Sequence, residues 1–172
     1  MATLNTRPRG AQTIPVTLDV NGKTYELDIE PHELLLDVVR DRLGLTGVKR
    51  SCDVEVCGAC TLLIDGRPVS SCTLPAFEVR GKRVETIEGL AEKGKLHPLQ
   101  EAFIEHGGFQ CGFCTPGMIL AAKSLLEENP DPSDAEIKHY MHGNICRCTG
   151  YKKIIESIRA AAEAMRSARS RS

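Results

Sequence analysis

Cys52, Cys57, Cys60 and Cys72 stand in the pattern C-x4-C-x2-C-x11-C. Its first three members have the spacing of the loop that holds a plant-type [2Fe–2S] cluster, the fourth thiolate arriving from a neighbouring strand. Gly58 and Ala59 lie between the close pair, small enough to let backbone N–H groups approach the sulfurs. A second set, Cys111, Cys114, Cys146 and Cys148, reads C-x2-C-x31-C-x-C. Each half of that set comes just before a predicted helix. Free N–H groups and the positive end of the helix dipole there suit the negative charge of a thiolate-held iron–sulfide core.

Other uses of eight cysteines fit less well. Structural zinc takes pairs spaced by two to four residues, and C-x-C is tighter than that. Disulfides belong to exported chains, and residues 1–15 carry neither an apolar signal core nor paired arginines. The expected location is therefore the cytoplasm. A catalytic thiol needs a dedicated base, whereas every cysteine here is matched by three others. His142, four residues before Cys146, would be a Rieske-type ligand only if a thiolate were missing, and none is. His97 reads as a helix-entry residue. Arg147 is either a solvated charge or an offset to the charge of the second cluster.

The 172 residues carry a net charge of −1 and no tryptophan, which speaks against a nucleic-acid or membrane surface as the main partner. No run reaches membrane-spanning length.

The elements follow from periodicity. Val16, Leu18 and Val20 alternate with polar residues, as do Tyr25, Leu27 and Ile29, and Asn21-Gly22 between them makes a hairpin. A helix is expected from Pro31, with Leu35, Leu36, Val39 and Leu43 inward and Gly44 as its stop. After the cysteine loop, Thr61–Ile64 turns at Asp65-Gly66 and returns through Val69 to Cys72. A last strand is expected over 84–87. Beyond Gly89 the period becomes helical. One helix opens at Pro98 with Leu99, Phe103 and Ile104 inward. A second starts with Thr115 as cap and buries Met118, Ile119, Ala122, Leu125 and Leu126. A third opens on the capping box Ser133/Glu136, and a fourth runs from near Tyr151 to Met165. The fold class is α+β. It comprises an N-terminal β-grasp, plant-type ferredoxin-like domain over 14–90 and a C-terminal four-helix [2Fe–2S]-binding bundle over 91–165. Residues 1–13 and 166–172 read as mobile tails.

Several runs resemble one family: Val48 through Thr61, Val69-Ser70-Ser71-Cys72, Thr86-Ile87-Glu88-Gly89-Leu90, Gln110 through Met118, and Gly143 through Tyr151. They resemble the iron–sulfur small subunit of molybdenum hydroxylases, the xanthine dehydrogenase family that includes aerobic carbon monoxide dehydrogenase. The resemblance covers about residues 16–162. It implies an electron-relay subunit between a large molybdenum–pterin subunit and a medium FAD subunit, assembled as a dimer of heterotrimers. It implies that Cys111, Cys114, Cys146 and Cys148 hold the cluster nearer molybdenum. Cys52, Cys57, Cys60 and Cys72 would hold the one nearer FAD. It places Gln110 and Cys148 against the pterin. The substrate, whether carbon monoxide, a purine, an N-heterocycle or an aldehyde, would be oxidised on the large subunit. Many relatives have glycine where this chain has Ser51 and Glu55.

Overall fold

The computed structural model describes residues 12–170; the tail reading of residues 1–11 and 171–172 lies outside them. Strands β1 (Ile14–Val20) and β2 (Lys23–Ile29) pair antiparallel, with Val20 opposite Lys23. Asn21 (φ 55°) and Gly22 (φ 73°) make the turn; two positive φ angles match the right-handed twist of the strands. β3 (Thr61–Ile64) and β4 (Arg67–Ser70) repeat the arrangement across Asp65 and Gly66. β5 (Arg83–Glu85) completes a sheet of order β2-β1-β5-β3-β4, parallel to β1 and antiparallel to β3. β5 is shorter than the expected 84–87. The Thr86 amide leaves the ladder to donate to Asn21 Oδ1 at 2.8 Å, and a single 3-10 turn, Ile87–Gly89, follows.

The helix expected from Pro31 starts later and is wider. The Leu35 and Leu36 amides donate to Leu74 O and Ser71 O, which ties this stretch to the crossing segment. Helix α1 therefore begins at Leu35 and widens after Asp37 into a π-helical turn over Val38–Arg42. Leu43 N–H bonds back five residues to Val38 O at 3.1 Å. The wider turn brings Val38 into the core beside Leu35, Leu36 and Val39 and leaves Leu43 only partly buried.

Four helices form the second half: α2 (Pro98–Glu105), α3 (Thr115–Glu128), α4 (Asp134–Tyr140) and α5 (Lys152–Arg169). His97 is the entry residue of α2. Its Nδ1 accepts from Leu99 N–H at 3.2 Å while Gln100 Oε1 accepts from His97 N–H. The Ser133/Glu136 box caps α4 as expected. Ile104 does not join Leu99 and Phe103 inside; it is 58% exposed. The eight-residue α2 buries Leu99, Ala102 and Phe103, and Ile104 falls roughly a quarter-turn past that face.

α3 is buried on more than the expected stripe, since Leu120, Ala121 and Ser124 are also inside. It lies between the sheet and the other helices, so strand residues Leu18 and Leu63 share one core with Met118 and Ile158. Burial of each large apolar side chain there contributes roughly 1.5–3 kcal/mol. α5 runs on to Arg169, into the stretch read as tail, and Arg166 Nη1 donates to Pro130 O at 3.0 Å. Among the described residues no helix is long and apolar enough to cross a membrane.

Candidate functional site

The loop from Cys52 to Cys57 is shaped by its backbone. Asp53 (φ 56°) and Glu55 (φ 61°) both occupy the left-handed region, a conformation that costs a side-chain-bearing residue about 1 kcal/mol. Two clasps hold it. Arg50 bridges Asp53 and the α1 residue Asp37, and the Thr73 hydroxyl donates to the Glu55 carboxylate. In this shape the N–H groups of Val54, Cys57 and Val56 reach the Cys52 sulfur and hold its pKa down to about 6. The Glu55 N–H reaches Cys72. Burial outweighs it there, and Cys72 is pushed up to about 11. Ser71 Oγ donates to Cys60 O at 2.7 Å, which brings the residue before Cys72 back to Cys60.

In the helical half, Cys114 is itself the N-cap of α3. Thr115, expected to be the cap, is the first helical residue, and its buried hydroxyl has no hydrogen-bond partner. Cys146 and Cys148 do not sit on the end of α5. Tyr151 (φ 67°) caps that helix and reverses the chain ahead of it. Its hydroxyl accepts from Cys146 N–H at 2.9 Å and donates to Asn144 O at 3.2 Å. Burial opposes ionisation of Cys146, but the Thr149 hydroxyl and the amides of Thr149 and Cys148 prevail and lower its pKa. Burial, then the neighbouring Cys146 thiol, pushes Cys114 up to about 12.

Among the described residues no three His, Cys, Asp or Glu side chains gather to hold a single ion. The thiols meet in pairs instead. Cys148 Sγ lies 3.7 Å from Cys111 Sγ. Cys114 is within hydrogen-bonding reach of Cys146, Cys52 of Cys57, and Cys60 of Cys72. Pairs suit a two-iron diamond, in which each iron takes two thiolates. The amides aimed at Cys52, Cys72 and Cys146 suit it as well. So does the orphaned Thr115 hydroxyl beside Cys114, a donor that a sulfur acceptor would satisfy.

The two thiol sets share a seam that sequence reasoning missed. Ile145 N–H donates to Cys57 O at 2.9 Å. Asn144 Nδ2 donates to Gly58 O at 3.1 Å and to Thr61 Oγ1 at 3.3 Å. Gly58 has a further reason to be small. A Cβ there would lie 2.3 Å from Gly143 O, and one on Gly117 would lie 2.3 Å from Gly58 O. The glycines were visible in the sequence; their mutual contact was not. Around the two sets Cys111, Cys148, Gln110 and Arg147 are exposed. Phe113 (45%) and Ile145 (47%) flank the second set, and Val54 (63%) and Val56 (59%) tip the first loop. Among the described residues, neither Arg147 nor His142 makes an ion pair.

A β-grasp sheet and a four-helix bundle, each carrying four cysteines, define a protein with two iron–sulfur domains. Residues 18–91 match the family described as 2Fe-2S iron-sulfur cluster binding domain, and residues 86–159 match the [2Fe-2S] binding domain family. The nicotinate dehydrogenase small FeS subunit of Eubacterium barkeri is 49% identical over 150 residues, which cover 87% of this chain and 96% of that one. A probable xanthine dehydrogenase subunit from Bacillus subtilis is 48% identical, over 81% of this chain and 80% of that one. The crystal structure of quinoline 2-oxidoreductase from Pseudomonas putida 86 superposes with a TM-score of 0.87 at 47% identity. It covers 91% of this chain and 98% of that chain. The chain belongs to the small iron–sulfur subunits of the molybdenum hydroxylases. Its part in such an oxidoreductase is electron transfer, not turnover of substrate.

Proposed function

We propose that this chain relays single electrons from a molybdenum–pterin site on a large partner subunit to FAD on a medium one. In this reading the chain divides into a domain over 14–90 and another over 91–165. Cys52/Cys57 and Cys60/Cys72 form the paired ligands of the first cluster, and Cys111/Cys148 and Cys114/Cys146 those of the second. When bound, each [2Fe–2S] cluster supplies a centre that accepts and releases one electron at a time. The rest is done by the protein. Its amides and hydroxyls offset thiolate charge, its core excludes water, and its seam sets the separation.

The observation that carries the proposal is the bond from Ile145 N–H to Cys57 O at 2.9 Å. It joins a ligand of one set to the residue preceding a ligand of the other. No cavity or substrate-like pocket is needed for that role. The exposed edge at Cys111, Cys148, Gln110 and Phe113 supports docking of the large subunit, with Gln110 and Cys148 against the pterin. Val54 and Val56 support docking of the FAD subunit at the opposite loop. The assembly is a dimer of heterotrimers in the cytoplasm, and its substrate (carbon monoxide, a purine, an N-heterocycle or an aldehyde) is oxidised on the large subunit.

The test is freeze-quench paramagnetic resonance of the co-purified complex after mixing with its substrate. Both iron–sulfur signals of this chain should be reduced on the path to FAD. Reduction of FAD while both signals stay oxidised overturns the relay.

Loading should depend on pH in a defined direction. Cys72 and Cys114, with pKa values raised to about 11 and about 12, are protonated thiols at neutral pH in the metal-free chain. Metal–thiolate bonds form on the deprotonated sulfur, so binding expels those protons. Affinity for a thiophilic probe such as Cd2+ is expected to weaken by about tenfold or more per pH unit between pH 8 and pH 6. Competition against a chelator measures this, and a flat profile contradicts it.

A further inference from the structure

Glu55 stands out in the first loop on two counts. It holds a left-handed backbone, φ 61°, that a glycine would adopt without strain. It also holds a carboxylate whose hydrogen-bond partner is a neutral hydroxyl, that of Thr73. The other two carboxylates beside this loop, Asp37 and Asp53, are both met by the Arg50 guanidinium. Among the described residues no Lys, Arg or His forms an ion pair with Glu55. The placement is close on both sides. The residue's own N–H reaches the Cys72 sulfur, and its side chain is anchored on Thr73, the residue next to Cys72.

Adding an electron beside a fixed negative charge is unfavourable, and the effect fades with salt where the charge faces solvent. Hydrogen bonds and net charge near the sulfurs set the potential of an iron–sulfur centre. We propose that Glu55 is a positioning and charge-setting residue of the first thiol set. It anchors the loop through Thr73 while its carboxylate, met there by a neutral hydroxyl, lowers the reduction potential of the centre held there relative to the second. This role rests on the assignment of the two thiol sets as cluster ligands.

The test is a potentiometric titration of the complex at low ionic strength, with the two signals followed separately by paramagnetic resonance. Glu55→Gln keeps an acceptor for the Thr73 hydroxyl and removes the charge. It should raise the midpoint of the first centre and leave that of the second unmoved, and added salt should shrink the difference from the parent protein. Glu55→Gly also removes the backbone strain. It should give the same upward shift of the first midpoint as Glu55→Gln although it alone loses the tie to Thr73, a match that a purely structural role would not produce. Two intact signals with unchanged midpoints in Glu55→Gln overturn the proposal, as does a shift seen in Glu55→Gly alone. Failure of the underlying assignment looks different: the unsubstituted chain would then lack two iron–sulfur signals altogether.

Discussion

Replacing Gly117 by alanine is expected to destabilise the protein by about 3 kcal/mol and to loosen the seam between the two thiol sets. Gly117 lies in the first turn of α3, where its φ is one that alanine accepts, so the effect is purely one of space. The added Cβ would sit 2.3 Å from Gly58 O and 3.5 Å from Asn144 Nδ2. The obstacle is a backbone carbonyl and not the flexible end of a side chain, so the backbone has to move. Gly58 O is also the most heavily used acceptor at the seam. It takes hydrogen bonds from Thr61 N–H at 3.2 Å, Thr61 Oγ at 2.8 Å and Asn144 Nδ2 at 3.1 Å. Pushing it aside weakens all three and draws Cys57 O away from Ile145 N–H. For a chain of this size the loss corresponds to a fall of roughly 10 °C in the thermal midpoint. Scanning calorimetry of the parent and variant proteins measures it. A midpoint within a degree or two of the parent would mean that the seam has room for a methyl group.

The second large effect concerns which cysteines belong together. Cys148→Ser is expected to reduce iron from about four to about two atoms per chain, with loss of one resonance signal and retention of the other. Cys57→Ser should remove the complementary signal. Both follow from the pairing, because Cys148 meets Cys111 at 3.7 Å in the helical half while Cys57 meets Cys52 in the sheet half. The folding cost should differ between them. Cys148 is exposed, whereas Cys57 is partly buried. The Cys57 variant is therefore the less stable of the two. Metal analysis and paramagnetic resonance on the two variants decide the matter. Loss of the same signal from both would show that the sets are mixed.

Much of this was legible in the chain itself because the determinants are local. Asn21-Gly22 and Asp65-Gly66 announced their hairpins through the positive φ angles such pairs accept. Ser133 and Glu136 announced α4 three residues apart. What escaped depends on partners distant in sequence. The late start of α1 goes with amides of Leu35 and Leu36 that bond to Leu74 and Ser71, about 35 to 39 positions away. The burial of α3 on several sides follows from its place between sheet and helices, which periodicity does not reveal. Asn144 serves Gly58 across 86 positions, and the Tyr151 hydroxyl serves a backbone amide at Cys146 that no motif predicts. Glu55 was visible as a departure from glycine. Its tie to Thr73 was not, since eighteen positions separate them.

The proposed relay requires eight thiols divided four and four between two iron–sulfur centres joined through Cys57 and Ile145. Iron, zinc and acid-labile sulfide should be measured on anaerobically purified protein, together with its low-temperature paramagnetic resonance after partial reduction. About four irons and about four sulfides per chain and two distinguishable signals are expected. Zinc in place of iron, or a single signal at full metal occupancy, would contradict it.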